Sequence, residues 1–287
     1  MCIRDSIDGH PFSYASAFLP AIHQGTKLEG KPNYTIRHLT NDKLSGVQQT
    51  RQQELLRSLN RRHLDGTGPD AAIEGLIDSY ELAFRMQAAA PPLLDFSGET
   101  RETLNLYGVD QSGKTENYAR QCLLARRLVE RGVRFVELYH APNSNDSGWD
   151  QHNELARYHS SHALEVDKPI AGLLTDLKRR GLLDETLVVW GAEFGRTPWA
   201  QNIHGRNHHT KAFTVWMAGG GVRGGLTYGV TDDFGYAPTE NPVHMHDLHA
   251  TLLHILGLDH ERLTYRHAGR DFRLTDVHGD VVTDVLA

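Results

Sequence analysis

The chain has 287 residues, 39% hydrophobic and 23% charged, with 30 Lys and Arg against 36 Asp and Glu for a formal net charge of −6. It is long enough to bury a sizeable core and has globular composition; a mildly acidic chain with no basic stripe is a poor nucleic-acid binder, and no run approaches the roughly 20 apolar residues of a membrane helix. Cys2 and Cys122 are the only cysteines, which excludes a disulfide scaffold and a cysteine-rich zinc site.

Residues 1–6 (MCIRDS) have neither the apolar region nor the cleavage site of a signal peptide. The polar stretch that follows, to residue 40, shows no periodicity. We read 1–46 as a poorly structured remnant in which 1–6 is a cloning or assembly scar joined to the interior of a longer protein; a natural disordered N-terminus is the other reading. Residues 47–59 read as a polar surface helix. Residues 71–86 place Ile73, Leu76, Ile77, Tyr80 and Phe84 on one helical face, with Pro69 and Asp70 starting the helix and Pro91-Pro92 stopping it. Residues 118–129 repeat that pattern, and Gly132 caps the end. Residues 134–140 (RFVELYH) read as a short strand. Val166, Ile170, Leu173, Leu174 and Leu177 line a helix that Gly181 ends. The apolar run 186–191 (TLVVWG) predicts a strand buried on both faces. A third strand is expected over 212–218 (AFTVWMA), and a helix over 248–256 with Asp247 as N-cap. Strands alternating with helices predict a mostly parallel sheet with helices on its faces.

Histidine is unevenly placed. Of 18 histidines, four (His10, His23, His38 and His63) precede residue 140 and the other 14 lie at or after it. Neutral imidazole with carboxylate is the usual ligand set of zinc-like metals, and strand ends are where ligands bind in open α/β sheets. Asp150 and His152 form a D-x-H pair that can turn towards one ion; the same residues also suit a turn. Glu193, at the end of the 186–191 strand, needs a partner: either a metal, with Arg196 free for an anionic substrate oxygen, or Arg196 itself as a structural pair. In IHGRNHHT, His208 and His209 point opposite ways on an extended chain, so only one of them is a primary ligand. His246, His249 and His254 follow in and after HMHDLH, with His246 the better ligand candidate and the other two on a solvated face.

Two glycine-rich segments are weaker signals. Residues 108–115 (GVDQSGKT) match the P-loop pattern, but the preceding TLNLY is too short and polar for the central strand such a loop requires. Residues 219–221 with Gly224 and Gly225 lack dinucleotide spacing and read as a turn.

Several stretches together resemble a large bacterial domain-of-unknown-function family that stands beside the sulfatases in the alkaline phosphatase superfamily. They are 79–87 (SYELAFRMQ), 124–136 (LARRLVERGVRFV), 148–152 (GWDQH), 176–198 (DLKRRGLLDETLVVWGAEFGRTP), 205–209 (GRNHH), 218–221 (AGGG), 243–260 (VHMHDLHATLLHILGLDH) and 269–275 (GRDFRLT). The chain departs from the pattern twice. The sulfatase Asp-His-Gly is matched by Glu193, Phe194 and Gly195, and the usual GRDHH has Asn207.

The resemblance implies a three-layer αβα, alkaline phosphatase-like fold with a mostly parallel sheet, incomplete at the N-terminus, of which 47–287 would be the C-terminal part. It further implies a metal-dependent hydrolase of sulfate or phosphate esters acting on a small-molecule or carbohydrate ester. Asp150, His152, Glu193, His208, His209 and His246 would be the metal-ligand candidates. Arg196 would neutralise charge on the transferred group, and the nucleophile would come from a missing N-terminal segment. Zinc is the expected metal, with calcium or magnesium as alternatives, and an exported or periplasmic location is expected. A non-catalytic metal- or carbohydrate-binding member of the same fold is the competing reading, and a P-loop nucleotide hydrolase a distant third.

Overall fold

A computed structural model describes residues 2–4, 16, 19, 23–28, 35–36, 39, 43–68, 70–109, 114–140 and 148–287. The chain divides into two compact units, Met1–Pro142 and Asn143–Ala287. The middle of the P-loop-like stretch, residues 110–113, lies outside the described residues.

The first unit opens with β1 (Cys2–Arg4) and β2 (Lys27–Leu28) and continues with α1 (Gly46–Thr67), α2 (Ala71–Leu94), α3 (Arg101–Tyr107), α4 (Lys114–Glu130) and β3 (Glu137–Tyr139). β1 is the middle strand of a small parallel sheet, flanked by β2 and β3. A capping box between Ser45 and Gln48 starts α1 one residue before the predicted helix. The expected stop at Pro91-Pro92 does not occur. α2 carries both prolines in its last turn and reaches Leu94, because Leu93 is drawn into the core. That core gathers Leu28, Leu93, Leu124 and Leu128, with Ile36, Phe96, Val136 and Leu138 packed against it. The TLNLY stretch falls in α3, capped by Thr100 at one end and by Gly108 in the left-handed conformation at the other.

Charge is also buried in this unit. Glu99 Oε2 accepts from Arg126 Nη2 at 2.6 Å, and Glu99 Oε1 from Arg127 Nη1 at 2.6 Å. Arg126 reaches Glu130 as well, also at 2.6 Å. One carboxylate therefore ties two successive guanidiniums of α4 to the turn before α3.

The second unit contains α5 (Leu155–Arg179), a 3-10 turn at Leu183–Glu185, β4 (Leu187–Trp190), β5 (Gly195–Gln201), β6 (Gly205–His209), β7 (Trp216–Gly219), β8 (Val230–Thr231), β9 (Pro238–Glu240), α6 (Met245–Ile255), β10 (Thr264–His267) and β11 (Arg270–Arg273). α5 buries Val166, Leu173 and Leu177 along one stripe. α6 starts earlier than predicted. His244 is its N-cap, and Asp247 is the third helical residue of a capping box rather than the cap itself.

The expected three-layer αβα fold with a mostly parallel sheet is overturned. Among the described residues of the second unit every sheet is a two-stranded antiparallel pair: β4–β7, β5–β6, β8–β9 and β10–β11. Parallel pairing is confined to the two- and three-residue strands of the first unit. The reason lies in the connection between β4 and β7. A parallel return needs a crossover, usually a helix; here the intervening chain forms the β5–β6 hairpin, so β7 comes back antiparallel. Trp190 in β4 is 39% exposed, so this strand is not buried on both faces. Among the described residues, no helix is long and apolar enough to cross a membrane.

Removing the central carboxylate of the first unit would leave two guanidiniums facing each other in a low-dielectric site. Glu99→Ala is expected to lower the unfolding free energy by about 3–5 kcal/mol, read from urea denaturation; an unchanged midpoint would show that this charge cluster does not stabilise the unit.

Candidate metal centre

The loop 148–154 and the β5–β6 hairpin build the site. Trp149 anchors the loop to α5, packing edge-on to His159 at 5.4 Å between ring centroids and against His162 at 5.3 Å. Gln151 is buried, and its carbonyl accepts from Arg206 N at 3.2 Å. His204 O accepts from Leu155 N at 2.9 Å, joining the hairpin turn to the start of α5. Gly205 makes the approach feasible, since a Cβ there would collide with the carbonyl group of His152.

On the hairpin, Arg196 stands directly opposite His208, the cross-strand pairing that brings side chains of one face together. Alternation sends His209 to the other face. It is buried there, with Nε2 2.6 Å from Tyr236 O, and it packs against the rings of Trp199 and Tyr236.

Three ligand atoms converge. Asp150 Oδ1 is 3.0 Å from His152 Nε2 and 2.8 Å from His208 Nε2, and the two Nε2 atoms are 3.1 Å apart. Among the described residues this is the one group of three or more His, Cys, Asp or Glu side chains placed to hold an ion. In a tetrahedral zinc shell with bonds of about 2.0–2.1 Å, neighbouring ligands stand roughly 3.3 Å apart. The triangle therefore has to open by only a few tenths of an ångström to accept the ion, and the donor set fits zinc.

The surrounding contacts orient the ligands. Gln201 Oε1 lies 2.6 Å from His152 Nδ1. An amide oxygen can only accept, so the ring proton is on Nδ1 and the lone pair on Nε2 faces the centre. The ring of Phe194 lies against His208 at 4.2 Å between centroids. Arg196 Nη2 donates to Asp150 Oδ1 at 3.0 Å and to Trp149 O at 2.7 Å, and Nη1 to Arg206 O at 3.3 Å. Arg196 thus holds Asp150 in place and has N–H groups left over.

The remaining sequence candidates lie elsewhere. Glu193 is exposed at the bend between β4 and β5 and is outside the converging group; its carboxylate makes no hydrogen bond or ion pair among the described residues, and Arg196 is paired with Asp150 instead. His209 faces away, as described. His246 is on α6 among His244 and His278. Sequence reading missed Gln201 and the packing role of Phe194. Neither carries a signal in a single sequence, because each acts through a neighbour across the sheet or the loop.

The hydrogen bond from His208 holds the Asp150 carboxyl below the usual carboxylate range; partial burial opposes this, and Arg196 and His152 reinforce it. A depressed carboxyl contributes stability above its unfolded value, about 3.9, and loses it as pH falls through the lower folded value. In a carbon-detected NMR titration, the Asp150 midpoint is expected below that of an ordinary Asp, and His208→Ala is expected to raise it. No upward movement in the variant would remove His208 as the cause.

No curated protein and no solved structure matches this chain. One family model does, over residues 5–286, a span that includes every residue of the converging group. With nearly the whole chain matched, it belongs to the family described as protein of unknown function, DUF1501.

Proposed function

We propose that Asp150, His152 and His208 hold a divalent cation, zinc foremost, and that this centre serves the hydrolysis of a phosphate or sulfate ester. The observation that carries the reading is the convergence of one carboxylate oxygen and two imidazole nitrogens beside a guanidinium. Three protein ligands with further positions open to solvent is the pattern of a catalytic rather than a structural zinc. Calcium fits less well, because it prefers an all-oxygen shell. When bound, the metal would acidify a coordinated water and polarise an ester oxygen.

The chain's own residues would do the rest. Gln201 keeps the His152 lone pair directed at the centre. His208 Nε2 donates to Asp150 in the present arrangement and has to release that proton to become a ligand, so metal uptake weakens as pH falls. Arg196 offers its remaining N–H groups to an anionic substrate oxygen. The ester class is suggested by the sequence stretches that resemble the sulfatase-like family and not by the fold, which differs from theirs.

A non-catalytic metal binder is the second reading. What favours it is that, among the described residues, no Ser, Thr or Cys side chain bonds to the group.

Zinc binding by titration calorimetry and turnover of aryl phosphate and aryl sulfate separate the readings. Asp150→Ala and His208→Ala are expected to abolish both binding and turnover. Gln201→Leu should bind zinc about 10–100-fold more weakly while keeping its stoichiometry. Binding without turnover of either ester would favour the binder; turnover insensitive to chelator and to both alanine variants would end the proposal.

A further inference from the structure

β5 and β6 do not match residue for residue. Arg196 stands opposite His208 and Ala200 opposite Arg206, so three residues of β5 (Thr197, Pro198 and Trp199) face the single Asn207 of β6. The excess is a bulge, which bends the strand and resets the pairing beyond it. Pro198 suits such a place, because a bulge has no ladder bond for a proline to break.

The register after the bulge decides where Gln201 lies. With the excess, Gln201 pairs with Gly205, the residue whose backbone lies against His152. Without it, and with Arg196 still opposite His208, Trp199 would pair with Gly205 and Gln201 would be carried two residues past that position. At about 3.4 Å per residue the displacement is roughly 7 Å. The contact at stake, Gln201 Oε1 to His152 Nδ1, spans 2.6 Å.

Two side chains close the bulge. Arg206 Nη1 donates to Pro198 O and lies 3.5 Å from Thr197 O. Thr197 is buried, and its Oγ1 donates to Trp199 O at 2.9 Å and accepts from Asn207 N at 3.1 Å. Together they engage the carbonyls of all three bulge residues. Arg206 also joins the site through its main chain, with N donating to Gln151 O and O accepting from Arg196 Nη1. Those bonds do not depend on its side chain.

We propose that Arg206 and Thr197 are positioning residues of the Asp150 group: they hold the bulge at the register that sets Gln201 on His152, and so decide which ring nitrogen of His152 faces the centre. Asp150 Oδ1 is 3.0 Å from His152 Nε2 and would accept a proton carried there. The Gln201 amide oxygen, on the far side of the ring, holds the proton at Nδ1 instead. Loss of the register moves the proton to Nε2 and removes the lone pair a metal needs. The inference rests on the metal reading of this site for its zinc outcome alone.

The test is the His152 tautomer, read by NMR from the imidazole nitrogen shifts of the isotope-labelled, metal-free full chain at a pH where the ring is neutral. The wild type is expected to carry the proton on Nδ1, and Gln201→Leu on Nε2. Arg206→Met and Thr197→Val are each expected to move towards Gln201→Leu, and the double variant Arg206→Met/Gln201→Leu to match Gln201→Leu. In zinc titration calorimetry Arg206→Met should bind up to about 100-fold more weakly, with no further loss in the double variant, because both act through one contact. A wild-type proton on Nε2, a wild-type tautomer in folded Arg206→Met, or a further loss of affinity in the double variant overturns the proposal. If circular dichroism shows Arg206→Met unfolded, a wild-type tautomer in Thr197→Val overturns it. A wild type that binds no zinc refutes the metal centre at Asp150 and leaves the tautomer comparison to decide the role of Arg206 and Thr197.

Discussion

The β5–β6 hairpin lies against the loop 148–154 so closely that no side chain fits at Gly205, where a Cβ would strike the carbonyl of His152. Everything at the Asp150 group depends on that approach. It brings Arg206 N onto Gln151 O and Leu155 N onto His204 O, so the loop and the hairpin share backbone hydrogen bonds. Trp149 pins the far side of the loop to α5. With both parts held at the backbone, Asp150 and His152 from one meet Arg196 and His208 from the other.

The two units use one charge motif in opposite surroundings. In the first, Glu99 bridges Arg126 and Arg127 with side chains 9%, 3% and 10% exposed. Both guanidiniums are permanently charged, so the cluster is a fixed structural tie. In the second, Asp150 gathers Arg196, His152 and His208 but is itself 55% exposed at the side chain. Two of its three partners are imidazoles rather than permanently charged guanidiniums. The first arrangement fixes α4 to the turn before α3; the second sets two imidazole nitrogens beside an exposed carboxylate.

A second backbone approach recurs at α6. Gly279 lies against the carbonyl of His246, and Asp247 joins the helix start to Asp280 through one oxygen while capping with the other. These backbone bonds hold the Asp247 carboxyl low against the opposing effect of burial, with His244 and His246 adding to them. A single carboxylate thereby shapes both the helix end and the segment beside it.

Local pattern marked the presence of α2, α4 and α5, whose apolar residues recur at helical spacing, but not α3, the full length of α1 or the end of α2. It also determined that His208 and His209 diverge, because alternation is a property of any extended strand. Asp150 and His152 of the D-x-H pair and His208, all singled out in the histidine-rich second half, meet in the structure. Only the tertiary structure decided the direction of strand pairing, which depends on what the chain does between Trp190 and Trp216 and not on the apolar runs themselves. It alone turned Arg196 to Asp150 and left Glu193 in solvent, and it brought Gln201 to His152 across 49 residues of sequence. Pairings over that distance depend on which backbone surfaces can close on each other, here through Gly205, and no local spacing encodes that fit.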